Sequence, residues 1–90
     1  MSLPYRFQLE DVSRKSGLAP DVILLFVTRS WLRPLDAEQH LFDAEDLARI
    51  HLIRDLQEKM AVNDEAVPVI LHLVDQLNRM HLEFSQPKMD

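Results

Sequence analysis

Apolar residues recur at intervals of three and four along most of the chain, which is the pattern of helices with one buried face. The clearest case follows an acidic start at residues 43–46, with apolar residues at Leu47, Ile50, Ile53, Leu56 and Met60. Asp43 is suited to cap this helix, because carboxylates are favoured at the positive end of a helix. We therefore predict the third helix of the chain over residues 43–61.

Residues 9–34 predict two short helices around a tight corner. The only glycine, Gly17, follows a first helix over residues 9–16, and glycine accepts the left-handed backbone that ends a helix. Pro20 suits the first turn of a second helix, where a missing N–H costs nothing. We predict this second helix from Pro20 to about Ser30. Two helices joined by about three or four residues with a glycine form a helix-turn-helix.

The second helix carries six consecutive apolar residues, from Val22 to Val27. A helix turns through all directions in about 3.6 residues, so one core cannot cover all six. We expect Leu24 or Leu25 to be at least partly exposed. Two explanations remain open, since a third element covers these leucines or they form a protein-binding patch. Leucines are not the donors with which a recognition helix reads base edges.

Residues 35–42 predict a small wing or loop after the helix-turn-helix. Two extended pieces, residues 31–33 and 40–42, are expected to form its hairpin. The loop carries two acids and a histidine, Asp36, Glu38 and His40. An acidic loop is repelled by a phosphate backbone.

The last predicted helix spans residues 63–84. Residues 63–65 signal its start, but Pro68 means that the helix begins nearer Val67 or has an irregular first turn. A heptad-like row follows at Val67, Ile70, Val74, Leu77, His81 and Phe84. A second row lies beside it at Val69, Leu73 and Met80. The first row either packs on the preceding helices or pairs with a second copy. We assign its six residues to a predicted homodimer seam, and residues 85–90 to a tail.

The length and composition indicate a single domain over residues 1–90, and the spacing of its apolar residues indicates that it is mainly α-helical. A 47% share of apolar residues suffices for a core. The net charge of −5, from ten basic and fifteen acidic residues, disfavours nucleic acid as the main partner. It favours a protein partner with a basic surface.

The sequence contains no recognisable catalytic or metal-binding constellation. One glycine cannot form a phosphate-binding loop, and no nucleophile elbow is present. The absence of cysteine excludes disulfides, thiolate metal sites and a cysteine nucleophile. The four histidines offer only two pairs at helical spacing, His51 with Asp55 and His72 with Asp75, which are too few ligands for a metal. We therefore predict no enzyme, no metal and no cofactor.

The ends of the chain carry little signal for targeting. Tyr5, Phe7 and Leu9 alternate with polar residues, which is typical of a short edge strand. The N-terminus lacks the apolar core of a signal peptide, and no apolar run approaches membrane-spanning length. Together with the absence of cysteine, these features favour a cytoplasmic protein without a membrane partner.

Three stretches, LEDVSRKSGLAPDVI, W-L-R-P and HLFDAEDLARIHLIRDL, resemble the N-terminal domain of MerR-type regulators. The resemblance implies a helix-turn-helix, a small wing and a long C-terminal helix. Two departures from that family weaken a role in DNA binding. Residues 24–26 read Leu-Leu-Phe where the family usually has an arginine followed by aromatics, and residues 38–40 read Glu-Gln-His where its wing reads Gly-Tyr-Arg.

Residues 42–80 are similar to the chaperone-modulator family typified by CbpM, which keeps a MerR-like fold without the DNA role. The similarity rests on the Phe-Asp opening, the acidic start of the third helix and the Leu-x-Leu-Val-Asp of the fourth. It covers about residues 9–84. It implies a protein that binds the J domain of a DnaJ- or CbpA-like co-chaperone and inhibits its stimulation of a DnaK-type chaperone. J domains resemble one another in presenting a basic helix, to which an acidic competitor is drawn.

We assign the partner-binding surface to carboxylates of the third helix and to one leucine of the second. The carboxylates are Asp43, Glu45, Asp46, Asp55 and Glu58, and the leucine is Leu24 or Leu25. The alternative is a small MerR-like DNA-binding transcriptional regulator. Its basic residues would cluster around the helix-turn-helix at Arg14, Lys15, Arg29 and Arg33.

Overall fold

The structure, a computed structural model, describes residues 6–85, with side chains through residue 81. Its elements are β1 (Phe7–Gln8), α1 (Leu9–Ser16), α2 (Pro20–Thr28), β2 (Leu41–Phe42), α3 (Ala44–Glu58) and α4 (Val67–Ser85). This arrangement confirms the predicted fold class, a mainly α-helical chain with a helix-turn-helix, a small wing and a long last helix. Tyr5 and the predicted tail beyond residue 85 lie outside the described residues.

The helix-turn-helix forms for the reasons that its sequence suggests. Gly17 closes α1 in the left-handed region at φ 76°, and its N–H donates to the Ser13 carbonyl at 2.9 Å. Pro20 occupies the first turn of α2. This helix ends at Thr28, earlier than the predicted Ser30, because Ser30 itself turns into the left-handed region at φ 63°.

The predicted hairpin between residues 31–33 and 40–42 is wrong. β2 instead pairs antiparallel with β1, with Phe7 opposite Phe42. Trp31 and Leu32 are buried in the core, where large apolar side chains gain more free energy than on an exposed edge strand. The wing is reduced to a tight turn that a single bridge between Asp36 and Leu41 closes.

The core lies where α1, α2, α3 and the first turns of α4 meet. Its buried members are Val12, Ile23, Phe26, Trp31, Leu32, Phe42, Ile50, Ile53, Val67 and Leu71. Three of the apolar positions predicted to face inward from α3, Ile50, Ile53 and Leu56, are buried. Met60 was predicted on the same face but is exposed, because α3 ends at Glu58 and Ala61 turns the backbone to φ 53°.

The last helix is anchored mainly at its start. It begins at Val67, so the first of the two alternatives for Pro68 is correct. Val67 and Leu71 join the core, whereas Leu73 and Leu77 farther along the helix are exposed. No helix in the described part of the chain is long and apolar enough to span a membrane.

Candidate functional site

A groove of about 1020 Å³ lies between the first part of α3 and the second half of α4. Leu52 from α3 and Val74 from α4 supply apolar surface to it. Asp43 and Glu45 supply carboxylates at the start of α3, and Arg79 supplies a guanidinium from α4. The groove therefore combines apolar walls with charged edges, which suits a polypeptide better than a small apolar ligand.

Arg49 holds the two helices together at the inner end of this groove. Its guanidinium donates to both carboxylate oxygens of Asp75, at 2.7 and 3.2 Å, and its Nε donates to the Trp31 carbonyl at 2.6 Å. The hydrogen bonds from Arg49 hold the pKa of Asp75 below its usual range. One side chain of α3 thus fixes both α4 and the segment that follows α2.

Two carboxylates cap the start of α3 reciprocally. Asp43 accepts from the Asp46 N–H at 2.8 Å, and Asp46 accepts from the Asp43 N–H at 3.1 Å. Asp46 is only 7% exposed, and this burial raises its pKa to about 6. We therefore correct the assignment of Asp46 to the partner-binding surface, since its carboxylate is buried and occupied by the helix cap.

The remaining predicted carboxylates do not form one cluster. Glu45 and Glu58 are exposed near opposite ends of α3, about 20 Å apart along an axis that rises 1.5 Å per residue. Asp55 lies on the Glu58 side and is held by Arg54 at 3.1 Å and Lys59 at 3.6 Å. The hydrogen bond from Arg54 lowers the pKa of Asp55.

The backbone of the wing turn lies next to the residues that lead into α3. Asp36 lies opposite Leu41, two residues before Asp43. Its carboxylate accepts the N–H groups of Glu38 and Gln39 at 3.0 and 3.2 Å, which shapes the turn. We call the set Asp36, Glu38, Asp43 and Glu45 the acidic end.

Leu35 is an exposed apolar residue beside the acidic end. It is 49% exposed, and its backbone N–H lies close enough to the Asp46 carboxylate to lower the pKa of that group slightly. Sequence reasoning did not single it out. The sequence does contain a signal that could have identified it: Leu35 is apolar, stands between Pro34 and Asp36, and lies in a stretch without a periodic apolar pattern.

The outward face of α2 carries no arginine, asparagine or glutamine with which to read base edges. Leu24 is half-buried and Leu25 is 42% exposed. The Thr28 hydroxyl donates to the Leu24 carbonyl at 3.0 Å, so its hydrogen is already engaged. Asp21, also exposed on this helix, would repel a phosphate.

Most cations of the proposed DNA-binding cluster are engaged within the protein. Arg14 pairs with Asp11 at 3.0 Å, and the Lys15 ammonium lies 5.7 Å from the centre of the Phe7 ring. Arg29 pairs with Asp64 at 2.9 Å and lies over the Trp31 ring. Of the four, only Arg14 and Arg29 form ion pairs within residues 6–81, and Arg33 has neither an ion pair nor a contact with an aromatic ring.

The structure shifts the predicted seam of α4. Val67 faces the core and is 0% exposed, so it is not available to a second copy. Ile70 and Val74 are half-buried, Leu77 and His81 are exposed, and the side chain of Phe84 lies outside the described residues. The uncovered apolar row is Ile70, Leu73, Leu77 and Met80, which we call the α4 seam. Pairing through it stays a prediction.

Comparison with protein families decides what kind of domain carries this groove. The family model described as MerR HTH family regulatory protein matches residues 7–88. The chain belongs to the MerR helix-turn-helix family. No curated protein matches the chain. Membership in the MerR family indicates a regulatory domain rather than an enzyme. The match includes α4, so this helix is part of the MerR-family domain.

The described residues also show what the domain can hold chemically. No group of three or more His, Asp or Glu side chains lies close enough together in residues 6–81 to hold a metal ion. Guanidinium, carboxylate and exposed apolar groups dominate the groove instead. Groups of these kinds are suited to recognition by charge and by burial of apolar surface.

Proposed function

We propose that this MerR-family domain is a chaperone modulator, which binds the J domain of a DnaJ- or CbpA-like co-chaperone and inhibits its stimulation of a DnaK-type chaperone. The observation that carries the proposal is the acidic end, which lies beside an apolar-walled groove on a helix-turn-helix without base-reading side chains. The resemblance of residues 42–80 to the chaperone-modulator family supports the choice of partner.

The acidic end supplies the electrostatic part of the interaction. It combines carboxylates of the wing turn, which a backbone bridge joins to Leu41, with carboxylates of the α3 start, and Glu38 and Glu45 are exposed. Complementary charge mainly speeds the encounter with a basic helix and fixes its orientation. Buried apolar anchors then slow dissociation. Leu35 lies beside these carboxylates, so we propose it as the first apolar anchor.

Leu25 on α2 is the second apolar candidate. It lies one turn before Arg29, whose guanidinium pairs with Asp64 from the segment after α3. Leu25 therefore lies on a side of α2 that faces the far end of α3 rather than the acidic end. Leu35 and Leu25 therefore mark two alternative surfaces on which a J domain can dock.

The test is calorimetric titration of a purified J domain from the same organism, at two salt concentrations. The acidic-end variant Glu38→Lys with Glu45→Lys reverses two exposed charges and leaves the capping pair, Asp43 and Asp46, unchanged. Its matched control is Glu58→Lys with Glu65→Lys, which makes the same charge change with exposed residues elsewhere. We expect the first pair to weaken binding at least about tenfold and to flatten its salt dependence, and the control to change affinity less than about threefold.

A second arm compares Leu35→Asn with Leu25→Asn. Loss of binding in Leu35→Asn supports docking at the acidic end. Loss in Leu25→Asn alone moves the J domain onto α2 and overturns the assignment to the acidic end. If neither salt concentration gives heat or complex while both proteins are folded, the co-chaperone proposal is wrong.

A DNA-binding regulator is the second candidate, because the family match describes regulatory helix-turn-helix proteins. The paired cations and the apolar outward face of α2 argue against it. Fluorescence anisotropy with duplex DNA near physiological salt should show nothing tighter than the non-specific range of about 10⁻⁴–10⁻⁶ M. Sequence-selective nanomolar binding would favour this second candidate.

A further inference from the structure

A smaller pocket of about 260 Å³ opens at the inner end of the groove. It shares Arg33, Arg49, His72 and Asp75 with the groove, and Arg29 also lines it. The pocket thus collects three guanidinium groups and one imidazole around one carboxylate. This local surplus of positive groups contrasts with a net charge of −5 for the whole chain.

The pocket is rich in hydrogen-bond donors to which no described residue offers an acceptor. A guanidinium has five N–H groups. Arg29 uses one of its nitrogens in the pair with Asp64, and Arg33 forms no hydrogen bond to residues 6–81. The hydroxyl of Ser30 and the imidazole of His72 also line the pocket, and neither side chain is hydrogen-bonded to the described residues.

Asp75, the one carboxylate among the described residues that line the pocket, does not meet this demand for acceptors. Both oxygens of Asp75 accept from Arg49, at 2.7 and 3.2 Å. The hydrogen bonds from Arg49 and the nearby charge of Arg33 keep the pKa of Asp75 low, so this carboxylate remains ionised and paired. Asp64, which neutralises part of Arg29, is not among the residues that line the pocket.

A ligand that satisfies such a pocket is rich in acceptors and negatively charged. We propose that the pocket bounded by Arg29, Arg33 and His72 binds a phosphate group. A tetrahedral phosphate presents acceptor oxygens in several directions, which matches donors that come from different elements of the fold. Arg33 is the primary ligand, because its guanidinium is exposed and carries no other partner within residues 6–81. The proposal does not depend on binding of a J domain.

The phosphate is either the free ion or the phosphoryl group of an ester. Both present the same terminal oxygens, so they are tested in parallel as inorganic phosphate and as O-phosphoserine. Amide chemical shifts of residues 29–33 report binding at the pocket, and calorimetry gives the affinity. Chloride at equal ionic strength is the reference. We expect a Kd of about 1 mM or tighter for at least one of the two probes.

Arg33→Gln should weaken that binding at least about tenfold, because it removes the charge and the forked donors together. Arg33→Lys keeps the charge but loses the fork, and we expect it to bind with intermediate affinity. The matched control is Arg79→Gln, which removes one positive charge from the groove but not from this pocket. It should bind as the wild type does.

Two results would overturn the phosphate site. One is the absence of shifts in residues 29–33 with either probe at 10 mM, about tenfold above the expected Kd. The other is an equal loss of affinity in Arg33→Gln and Arg79→Gln, since this would show general charge attraction rather than a pocket. Circular dichroism of each variant checks that the exposed substitutions leave the helices intact.

Discussion

The helices α3 and α4 carry the same kind of apolar repeat but have different surroundings. In α3, Ile50 and Ile53 are both 0% exposed. In α4, Val67 is buried, yet Leu73 and Leu77 are 52% and 64% exposed. The comparison shows that periodicity identifies a helix with one apolar face. It does not identify what covers that face.

The two helices also begin differently. α3 starts with a reciprocal pair of carboxylates, one of which is buried. α4 has no acidic residue in its first turn, and the carbonyl of the Asn63 side chain accepts the Ala66 N–H at 2.9 Å just before it. The start of α3 is therefore fixed by a reciprocal pair of carboxylates, and the start of α4 by a single Asn63 side chain together with burial of Val67 and Leu71.

The largest difference should appear when one apolar residue is truncated in each helix. Ile53→Ala leaves a cavity in the core and should lower the free energy of unfolding by about 2–5 kcal/mol. Leu77→Ala removes an exposed side chain and should change it by less than about 0.5 kcal/mol. Urea unfolding at low protein concentration measures both. Equal losses would show that the second half of α4 is packed within a single molecule.

Local sequence signals predicted the elements whose causes are local. Gly17 marks the end of α1, Pro20 marks the start of α2, and Asp43 marks the start of α3. The predicted strand pairing was wrong because Phe7 pairs with Phe42, thirty-five positions away, and no local pattern encodes that pairing. The residues around Trp31 suggest an extended strand, but its position is determined by burial of its large apolar side chain in the core.

The candidate site was less predictable than the fold. The groove depends on the Arg49–Asp75 pair, which joins residues 26 positions apart. Burial of Asp46 could not be read from its sequence, because an acid in a first helical turn is usually exposed. The predicted basic cluster includes Arg33, but only the contacts of the other members show that Arg33 is the cation with neither an ion pair nor an aromatic contact within residues 6–81.

The capping pair of α3 should give a pH dependence opposite in sign to that of Asp75 on α4, whose pKa is lowered. Burial raises the pKa of Asp46 from 3.8 to about 6, so the folded state binds more protons than the unfolded state between these values. Stability should therefore fall as the pH rises through this window, by about 2–3 kcal/mol. Asp46→Asn keeps an acceptor for the Asp43 N–H and should remove this contribution.

The pH range between these two pKa values separates the effect of Asp46 from that of the other carboxylates with shifted pKa values. Asp11, Asp55 and Asp75 have lowered pKa values, so their contributions are lost only as the pH falls below the usual range. Glu45→Gln is the control, because it changes the same charge on an exposed residue of the same turn. Unfolding titrations at pH 4, 5, 6 and 7 follow the change. An unaltered slope in Asp46→Asn would contradict the assignment.

The uncovered face of α4 leads to the prediction with the smallest effect on a single molecule. The α4 seam, at Ile70, Leu73, Leu77 and Met80, follows the three- and four-residue spacing of a coiled-coil interface. Between residues 67 and 81 the helix has one carboxylate, Asp75, and that group is paired with Arg49. Two copies that each carry a net charge of −5 therefore meet with least repulsion along this face.

We propose that the protein self-associates through this seam, so that Leu73→Glu with Leu77→Glu should give a monomer with helix content unchanged. Analytical ultracentrifugation at tens of micromolar measures the state, and circular dichroism measures the helix content. The control, Leu25→Glu with Leu35→Glu, places the same charges on exposed leucines away from α4 and should leave the association intact. A wild-type protein that sediments as a monomer would show that the face is free of a second copy. Since the seam contributes little to the core, its loss should change association and leave the unfolding of the monomer almost unaltered, in contrast to any truncation at Ile53.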